Sequence, residues 1–420
     1  MTEAAAVAAP RLSRVADRAL APLLTVLLVA LMTSITLVGI VTGLIIAAGL
    51  ARLTDPALRA RDRAPLAWPL LAFATLTLVS ALHAERPGIA LFESKQLLGI
   101  AVFLAAVNGF HAGHEIRRAL RWWLVAVIVV SVHAIAQVWA CGTGVALPDW
   151  AAWMLRVRLD QCRANPLFRA KGFFSIYMTL GGSLLVALSL ILAPIAVGVR
   201  TWRRPLLATA GLATVALALT YVRSAWLGLG VAVVVLAGLT RRWALLLLLL
   251  AATVIALVAS ASLQTRLLSI ADRTDPSATE RMYFWGAGWR MIRDAPLLGL
   301  GPGGVKRHYP EYRDPAARRP GTGHLHNNVM QIAAERGLFG LAAWLAIWAA
   351  FFARAGRIYT ALPQVRADDR ALVAGSVAAV AGFLVAGLFE YNFGDSEVIG
   401  LVWVVMAFPF VVESGTPEAA

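Results

Sequence analysis

Apolar runs long enough to cross a lipid bilayer recur along the whole 420-residue chain, and they restrict its fold more than any other feature. Runs 245–261 and 372–389 approach or reach the ~18 apolar residues that a spanning helix needs. No long polar block separates the runs, and the mean hydropathy is +0.73 with 60% hydrophobic residues. A soluble enzyme, a single-anchor receptor and a disordered protein are therefore excluded. We predict an all-α polytopic integral membrane protein.

Hydropathy divides the chain into about twelve candidate transmembrane helices. They are 19–31, 35–51, 66–83, 88–107, 121–140, 172–198, 205–222, 224–240, 243–261, 337–353, 371–389 and 396–412. If the N-terminus is cytoplasmic, the arginine-rich connections fall on the inner side, as the positive-inside rule requires. Both termini are then cytoplasmic.

This layout divides the chain into three parts. Residues 1–261 hold helices one to nine and an outer loop, 141–171. Residues 262–336 form a large periplasmic loop that contains helices. Residues 337–420 hold the last three spans and a short cytoplasmic tail.

Two outer loops carry basic residues on the side where few are expected. Loop 141–171 includes Arg169 and Lys171, and loop 262–325 has ten basic residues against six acidic ones. An anionic ligand at the outer membrane surface explains them, although loops of this length also escape the orientation rule. The net charge of +15 is spread in small groups along the chain, so no nucleic-acid partner is expected.

Cys141 and Cys162, the two cysteines of the chain, both fall on the outer side. A disulfide between them is chemically allowed in a bacterial periplasm. Two buried free thiols are the alternative.

The long outer loop contains a predicted helix over 278–294, which begins at a capping-box pattern, Ser277-Ala278-Thr279-Glu280. Arg281 and Trp285 lie on one face of it, either as a lipid-headgroup clamp or as part of an aromatic belt. The glycine-rich turn 299–304 that follows offers backbone amides to an anion, but it lacks the pattern of a phosphate loop.

His324 and His326 lie near the end of this loop. Glu335 and Arg336 indicate water, so the next span is expected to begin at Gly337 and His326 to lie outside the membrane. Two histidines are one ligand short of a catalytic zinc site, and alternate residues on a helix point in opposite directions. His326 is therefore either a general base, since imidazole titrates at pH ~6.5, or a hydrogen-bonded structural residue.

Three motifs resemble the bacterial O-antigen ligases, polytopic enzymes that attach O-antigen to lipid A-core. The first is His326-Asn327, then nine residues, Gly337, two residues and Gly340. The second is segment 221–228, YVRSAWLG, which contains Arg223. The third runs from Arg281 to the glycine-rich turn. The resemblance covers about 165–345 and implies the GT-C-type membrane glycosyltransferase fold.

The resemblance also implies roles for individual residues. His326 would be the catalytic histidine, and Arg223 and Arg281 would hold the diphosphate of an undecaprenyl-diphosphate-linked glycan. Further candidates for substrate binding are Arg169, Lys171, His324 and Trp285.

The resemblance implies an inverting glycosyltransferase of the inner membrane whose active site faces the periplasm. Its donor would be undecaprenyl-diphosphate-linked O-antigen and its acceptor lipid A-core, within the surrounding membrane lipids. No metal and no cofactor are expected, because arginines can neutralise a diphosphate and the predicted first outer loop has no carboxylate. O-antigen polymerase, protein O-oligosaccharyltransferase and a lipid-linked glycan flippase are the alternative functions.

Overall fold

The computed structural model describes residues 3–143, 148–157, 162, 168–244 and 276–415, with scattered positions between 246 and 265. Within these ranges the chain is helical and contains no strand, which confirms the all-α polytopic fold class. Nine helices in the described ranges are long and apolar enough to cross a membrane. About half of the predicted span 243–261 falls outside the described residues, so the number twelve and the GT-C likeness remain predictions.

The described ranges contain sixteen α-helices and two short 3₁₀ segments. The helices are α1 (Glu3–Thr33), α2 (Ile35–Arg52), α3 (Pro56–Arg59), α4 (Ala67–His83), α5 (Pro87–Glu93), α6 (Leu98–Gly109), α7 (Gly113–Thr143), α8 (Asp149–Met154), α9 (Tyr177–Val197), α10 (Arg203–Ala218), α11 (Arg223–Thr240), α12 (Pro276–Asp294), α13 (Gly304–Tyr312), α14 (Asn328–Ala361), α15 (Ala367–Ala386) and α16 (Ser396–Ser414). The 3₁₀ segments are Ser94–Leu97 and Asn392–Gly394.

Helices α9, α15 and α16 form the centre of the bundle. In the apolar segment of each of these helices, 78% to 83% of the residues are buried. Neighbouring helices surround them, and they are apolar on every side. Where α11 crosses α15, a Cβ at Gly228 would lie 2.6 Å from the carbonyl oxygen of Gly382, so glycine is needed for this close contact. Peripheral helices expose apolar side chains, among them Leu71 and Leu82 of α4, as expected of a surface that faces lipid.

Several predicted spans differ from the observed helices, among them the first and the fourth. Helix α1 begins at Glu3, well before the predicted start at residue 19. The predicted span 88–107 is interrupted by the 3₁₀ segment Ser94–Leu97. This interruption brings Gln96 inward, where its amide donates to the Tyr391 hydroxyl at 2.9 Å and its carbonyl accepts from Arg336 at 3.0 Å.

The prediction that Glu335 and Arg336 mark water is wrong. Glu335 is 4% exposed and Arg336 1%, and the two side chains form an ion pair of 3.2 Å inside the protein. Because each charge is paired and hydrogen-bonded, neither requires bulk water. Helix α14 begins at Asn328 and is kinked at Gly337, where φ is 67°, so the residue predicted to begin the membrane span is a kink within one helix.

The glycine-rich turn packs against this kink. Gly299, Gly301 and Gly303 all have positive φ, and a Cβ at Gly299 would lie 2.4 Å from the backbone of Glu335. The amide of Gly303 donates to the Glu335 carboxylate at 3.0 Å. The anion that this amide contacts is thus a side chain of the protein, which corrects the suggestion that the turn receives a ligand.

A disulfide joins Cys141, at the end of α7, to Cys162, with a Cα–Cα distance of 5.2 Å. It settles the alternative between a disulfide and free thiols. Nearby, the buried Gln137 side chain accepts from the amides of Lys171 and Gly172 at 3.2 and 2.9 Å. Helix α7 therefore holds both Cys162 and the segment that carries Arg169.

Candidate functional site

The histidine motif is fixed to the turn that follows α15. The Asn327 side chain caps α14 and donates to the carbonyl of Leu388 at 2.8 Å. The amide of Asn328 donates to the carbonyl of Gly387 at 2.7 Å. His326 directly precedes these two asparagines, so its backbone is aligned with the turn 387–394.

Glu390 in this turn contacts His326. Nδ1 of His326 lies 2.9 and 3.1 Å from the two carboxylate oxygens of Glu390. A guanidinium nitrogen of Arg281 lies 3.8 Å from the same carboxylate. Burial alone would raise the pKa of Glu390, but its hydrogen bond with His326 and its electrostatic interactions with His326, His324 and Arg281 hold that pKa below its usual range. Glu390 is therefore an ionised carboxylate beside an imidazole.

Two aromatic rings enclose His326. Phe284 of α12 stacks on the imidazole with centroids 5.6 Å apart, and the His324 ring lies at 4.2 Å. Burial, followed by the electrostatic interaction with His326, lowers the pKa of His324 to about 4, so His324 is neutral at ordinary pH. His326 itself has φ 52°, an unusual value for a side-chain-bearing residue that is held here by its surroundings.

A cavity of about 470 Å³ opens beside His326 and unites residues from distant parts of the chain. His326, Arg223 and Arg281, which the sequence predicts as site residues, all line it, as does Arg169. Among the other lining residues, the polar or charged ones are Tyr177, Tyr221, Ser224, Glu280, Arg318, Arg319 and Glu390.

The remaining predicted residues, Lys171, His324 and Trp285, do not line the cavity. Trp285 donates its indole N–H to the carbonyl of Leu325 at 3.2 Å and so supports the histidine segment. The backbone amide of Lys171 bonds to Gln137. A role for these three in substrate binding remains a prediction.

Arg223 is the first residue of α11, after a backbone turn in which Tyr221 has φ 54°. The amide of Val222 donates to the Thr220 hydroxyl at 3.2 Å and fixes this turn. The start of a helix favours anions through its free amides and its dipole. Arg223 therefore stands at a suitable place for a phosphate.

The cavity has an excess of positive charge. Five arginines line it, against the two carboxylates Glu280 and Glu390. Glu280 accepts from the backbone amides of Arg318 and Arg319 at 3.3 and 3.1 Å, which fixes the loop that carries both arginines. Because guanidinium groups form paired hydrogen bonds with phosphate oxygens, a cavity of this composition suits a multiply charged phosphate ligand.

His324, His326 and Glu390 also form a group with the ligand types of a metal site, since one ligand atom of each lies within 4.8 Å of the others. The sequence argument against zinc is wrong in both premises. A third ligand type, Glu390, is present, and the two histidines precede α14 rather than lie on a helix. The direct hydrogen bond pairs Nδ1 of His326 with the Glu390 carboxylate, and metal independence remains a prediction.

Four charged residues line the cavity that were not predicted as site residues: Glu390, Glu280, Arg318 and Arg319. Glu390 had a detectable signal, because an acidic residue directly follows the apolar run 371–389. Its proximity to His326 depends on the packing of α14 against α15, which no local pattern indicates. Arg318 and Arg319 belong to the basic loop 262–325, which indicated an anionic ligand without singling them out, and Glu280 was assigned only to a capping box.

Comparison with known proteins adds two findings. The family model described as O-Antigen ligase matches residues 208–345. A Rickettsia conorii protein with the provisional name polysaccharide ligase is 26% identical over 147 residues, which are 33% of this chain and 33% of that protein. The chain thus aligns with about a third of the length of this relative. Arg223, Arg281 and His326 lie inside 208–345, whereas Arg169 and Glu390 lie outside.

Proposed function

We propose, from the match of residues 208–345 to the family model described as O-Antigen ligase, that the protein transfers a glycan from undecaprenyl diphosphate to a sugar hydroxyl of lipid A-core. The reaction would take place at the periplasmic face of the inner membrane, where the two basic outer loops are predicted to lie. The observation that carries the proposal is the single cavity that unites His326 with Arg223 and Arg281.

Arg223 and Arg281 are proposed to hold the donor diphosphate. Arg223 stands at the start of α11, and Arg281 reaches the cavity from α12. Each charge-assisted hydrogen bond contributes roughly 1.5–3 kcal/mol. These bonds strengthen as negative charge builds up on the departing diphosphate, so they favour the transition state over bound donor.

His326 is proposed as the general base for the acceptor. Its Nε2 takes the proton of an acceptor hydroxyl, and the hydroxyl oxygen forms a bond to the anomeric carbon of the donor sugar. The bond from that carbon to the phosphate oxygen breaks, and its electron pair leaves with undecaprenyl diphosphate. A single displacement of this kind inverts the configuration at the anomeric carbon.

The proposed reaction needs no cofactor. The activated sugar–phosphate bond of the donor supplies the energy. Arginine side chains supply the charge neutralisation that a divalent cation gives in other enzymes.

Purified protein in lipid nanodiscs tests this proposal. The protein is supplied with undecaprenyl-diphosphate glycan, with or without lipid A-core, and the products are identified by mass spectrometry. We expect glycan on lipid A-core and no reaction without it. Growth of the glycan in the absence of lipid A-core would instead show a polymerase. In a parallel assay with the protein in sealed liposomes, movement of intact donor across the bilayer with no glycosidic product would show a flippase.

A further inference from the structure

We propose that Glu390 is a positioning residue for this transfer, because it holds the imidazole of His326 with a proton on Nδ1 and Nε2 available to the acceptor. The inference rests on the proposed function. Neither the family match nor the motifs of the sequence assign a role to Glu390, which lies outside residues 208–345.

The hydrogen bond determines which nitrogen of His326 carries a proton in the neutral ring. An ionised carboxylate can only accept hydrogen bonds, so Nδ1 at 2.9 Å from Glu390 must be the donor. Neutral imidazole has one N–H, and the proton on Nδ1 leaves Nε2 with its lone pair. In the described part of the chain no hydrogen bond engages Nε2, while the residue lines the cavity.

The backbone around Glu390 is built to keep this contact. Asn392 accepts from the Asn328 side chain at 2.6 Å and donates to the carbonyl of Phe383 at 2.9 Å. The amide of Tyr391 donates to the Glu390 carboxylate at 3.1 Å. The imidazole and the carboxylate are therefore held by two backbone segments that are hydrogen-bonded to each other on both sides of the pair.

The charge of Glu390 also suits the proton transfer. When the hydroxyl proton moves to Nε2, His326 becomes an imidazolium cation, which an adjacent carboxylate stabilises. Arg281, at 3.8 Å, partly neutralises the same carboxylate. A donor diphosphate bound to Arg281 would weaken the interaction of Arg281 with Glu390. Glu390 would then stabilise protonated His326 more strongly, so donor binding would make His326 a stronger base.

Four variants of the full-length protein in nanodiscs test the inference. They are Glu390→Gln, Glu390→Asp, Glu390→Ala and, as a control, Glu311→Gln, whose carboxylate is exposed and outside the cavity. For Glu390→Gln we expect kcat to fall about 100-fold or more with the KM for the donor within about threefold of wild type. Its amide keeps the size of the side chain but can donate to Nδ1 and stabilise the wrong tautomer.

Glu390→Asp should recover part of the lost kcat, and added formate should raise the kcat of Glu390→Ala about tenfold by occupying the vacated space with a carboxylate. A residue that only supported the fold would not respond to formate. Wild-type kcat in Glu390→Gln and Glu390→Ala would overturn the inference. A loss of kcat in Glu390→Ala that formate does not reverse, together with a loss of donor binding, would also overturn the inference.

His326→Ala, measured in the same series, separates the two proposals. If His326→Ala is inactive and Glu390→Gln behaves as wild type, the role of Glu390 is wrong and the proposed base stands. If His326→Ala turns over normally, the proposed base itself is wrong.

Discussion

The carboxylate of Glu335 accepts a hydrogen bond of 3.0 Å from the backbone amide of Gly303, deep beside the kink of α14. The same carboxylate accepts from the Gln331 side chain at 2.8 Å and pairs with Arg336. Gln331 in turn accepts from the amide of Leu325, between the two histidines. One buried acid therefore connects the glycine-rich turn, the kinked helix and the histidine segment.

The first prediction concerns the stability of this connection. Glu335→Ala leaves Arg336 buried without its ion-pair partner, so we expect it to destabilise the protein by about 3–5 kcal/mol. The double variant Glu335→Gln with Arg336→Met should be less destabilised than Glu335→Ala, because no buried charge is left unpaired. Thermal unfolding of detergent-purified protein measures both. Equal melting temperatures for Glu335→Ala and wild type would contradict the prediction.

A second prediction separates the two histidines. His326→Ala should lower transfer by roughly 10²–10⁴-fold while donor still binds, because the imidazole transfers a proton and does not hold the diphosphate. His324→Ala should have a milder effect, and His308→Ala, which alters a histidine outside the cavity, should have none. Transfer rates and donor binding of the three variants are compared at equal expression. Near-normal turnover by His326→Ala would remove the base assignment.

The third prediction is that charge alone does not replace Arg223 or Arg281. Lysine offers a point charge rather than a planar fork, so Arg223→Lys and Arg281→Lys should each lose about tenfold to hundredfold in kcat/KM for the donor. Arg293→Lys is the matched control, since it lies on α12 with its side chain 71% exposed. If both site variants kept wild-type affinity and rate, an aromatic belt would be the better interpretation of Arg281.

Fourth, transfer should survive removal of metal ions. The purified enzyme is assayed with lipid substrates in excess EDTA, and then with added magnesium, manganese or zinc. Persistence of the rate is expected, because the five arginines of the cavity repel a divalent cation and already neutralise the diphosphate. Loss of activity in EDTA that one metal restores would contradict this prediction and make His324, His326 and Glu390 the candidate ligands.

The fifth prediction concerns acid stability. Because the pKa of His324 is about 4 in the folded protein and ~6.5 in an unfolded chain, the unfolded chain binds the proton first as the pH falls. The contribution of His324 to stability is therefore complete above about pH 6.5 and decreases towards pH 4. His324→Gln should show a smaller drop in melting temperature over this interval than wild type. An identical pH dependence in both proteins would show that His324 does not titrate in this way.

The apolar runs predicted the positions of the helices well because the membrane imposes a length and a hydropathy on each spanning helix. A prediction that depended on charged residues at the edge of a run was wrong. Glu335 and Arg336 follow the pattern of a water-exposed helix end, yet tertiary packing buries them as a pair. A pattern of single residues shows where charges occur but not which charges pair.

The site was predictable in part for a similar reason. Arg223, Arg281 and His326 lie in motifs that can be recognised along the chain, and the fold brings them to one cavity. The place of Glu390 in the site depends on a contact with His326, 64 residues earlier in the chain. That contact forms only when α14 and α15 are packed together. The two histidines were expected to point apart because a helix was assumed where α14 has not yet begun.

The position of the turn 387–394 has a consequence for engineered chimeras. Residues 208–345 contain the histidine and four of the five cavity arginines, but the carboxylate that contacts the histidine comes from the connection between α15 and α16. Grafting the matched segment alone into a relative would pair this histidine with a foreign turn. The smallest exchangeable unit therefore comprises both segments, with Asn327 and Asn328 matched to the turn that they bind.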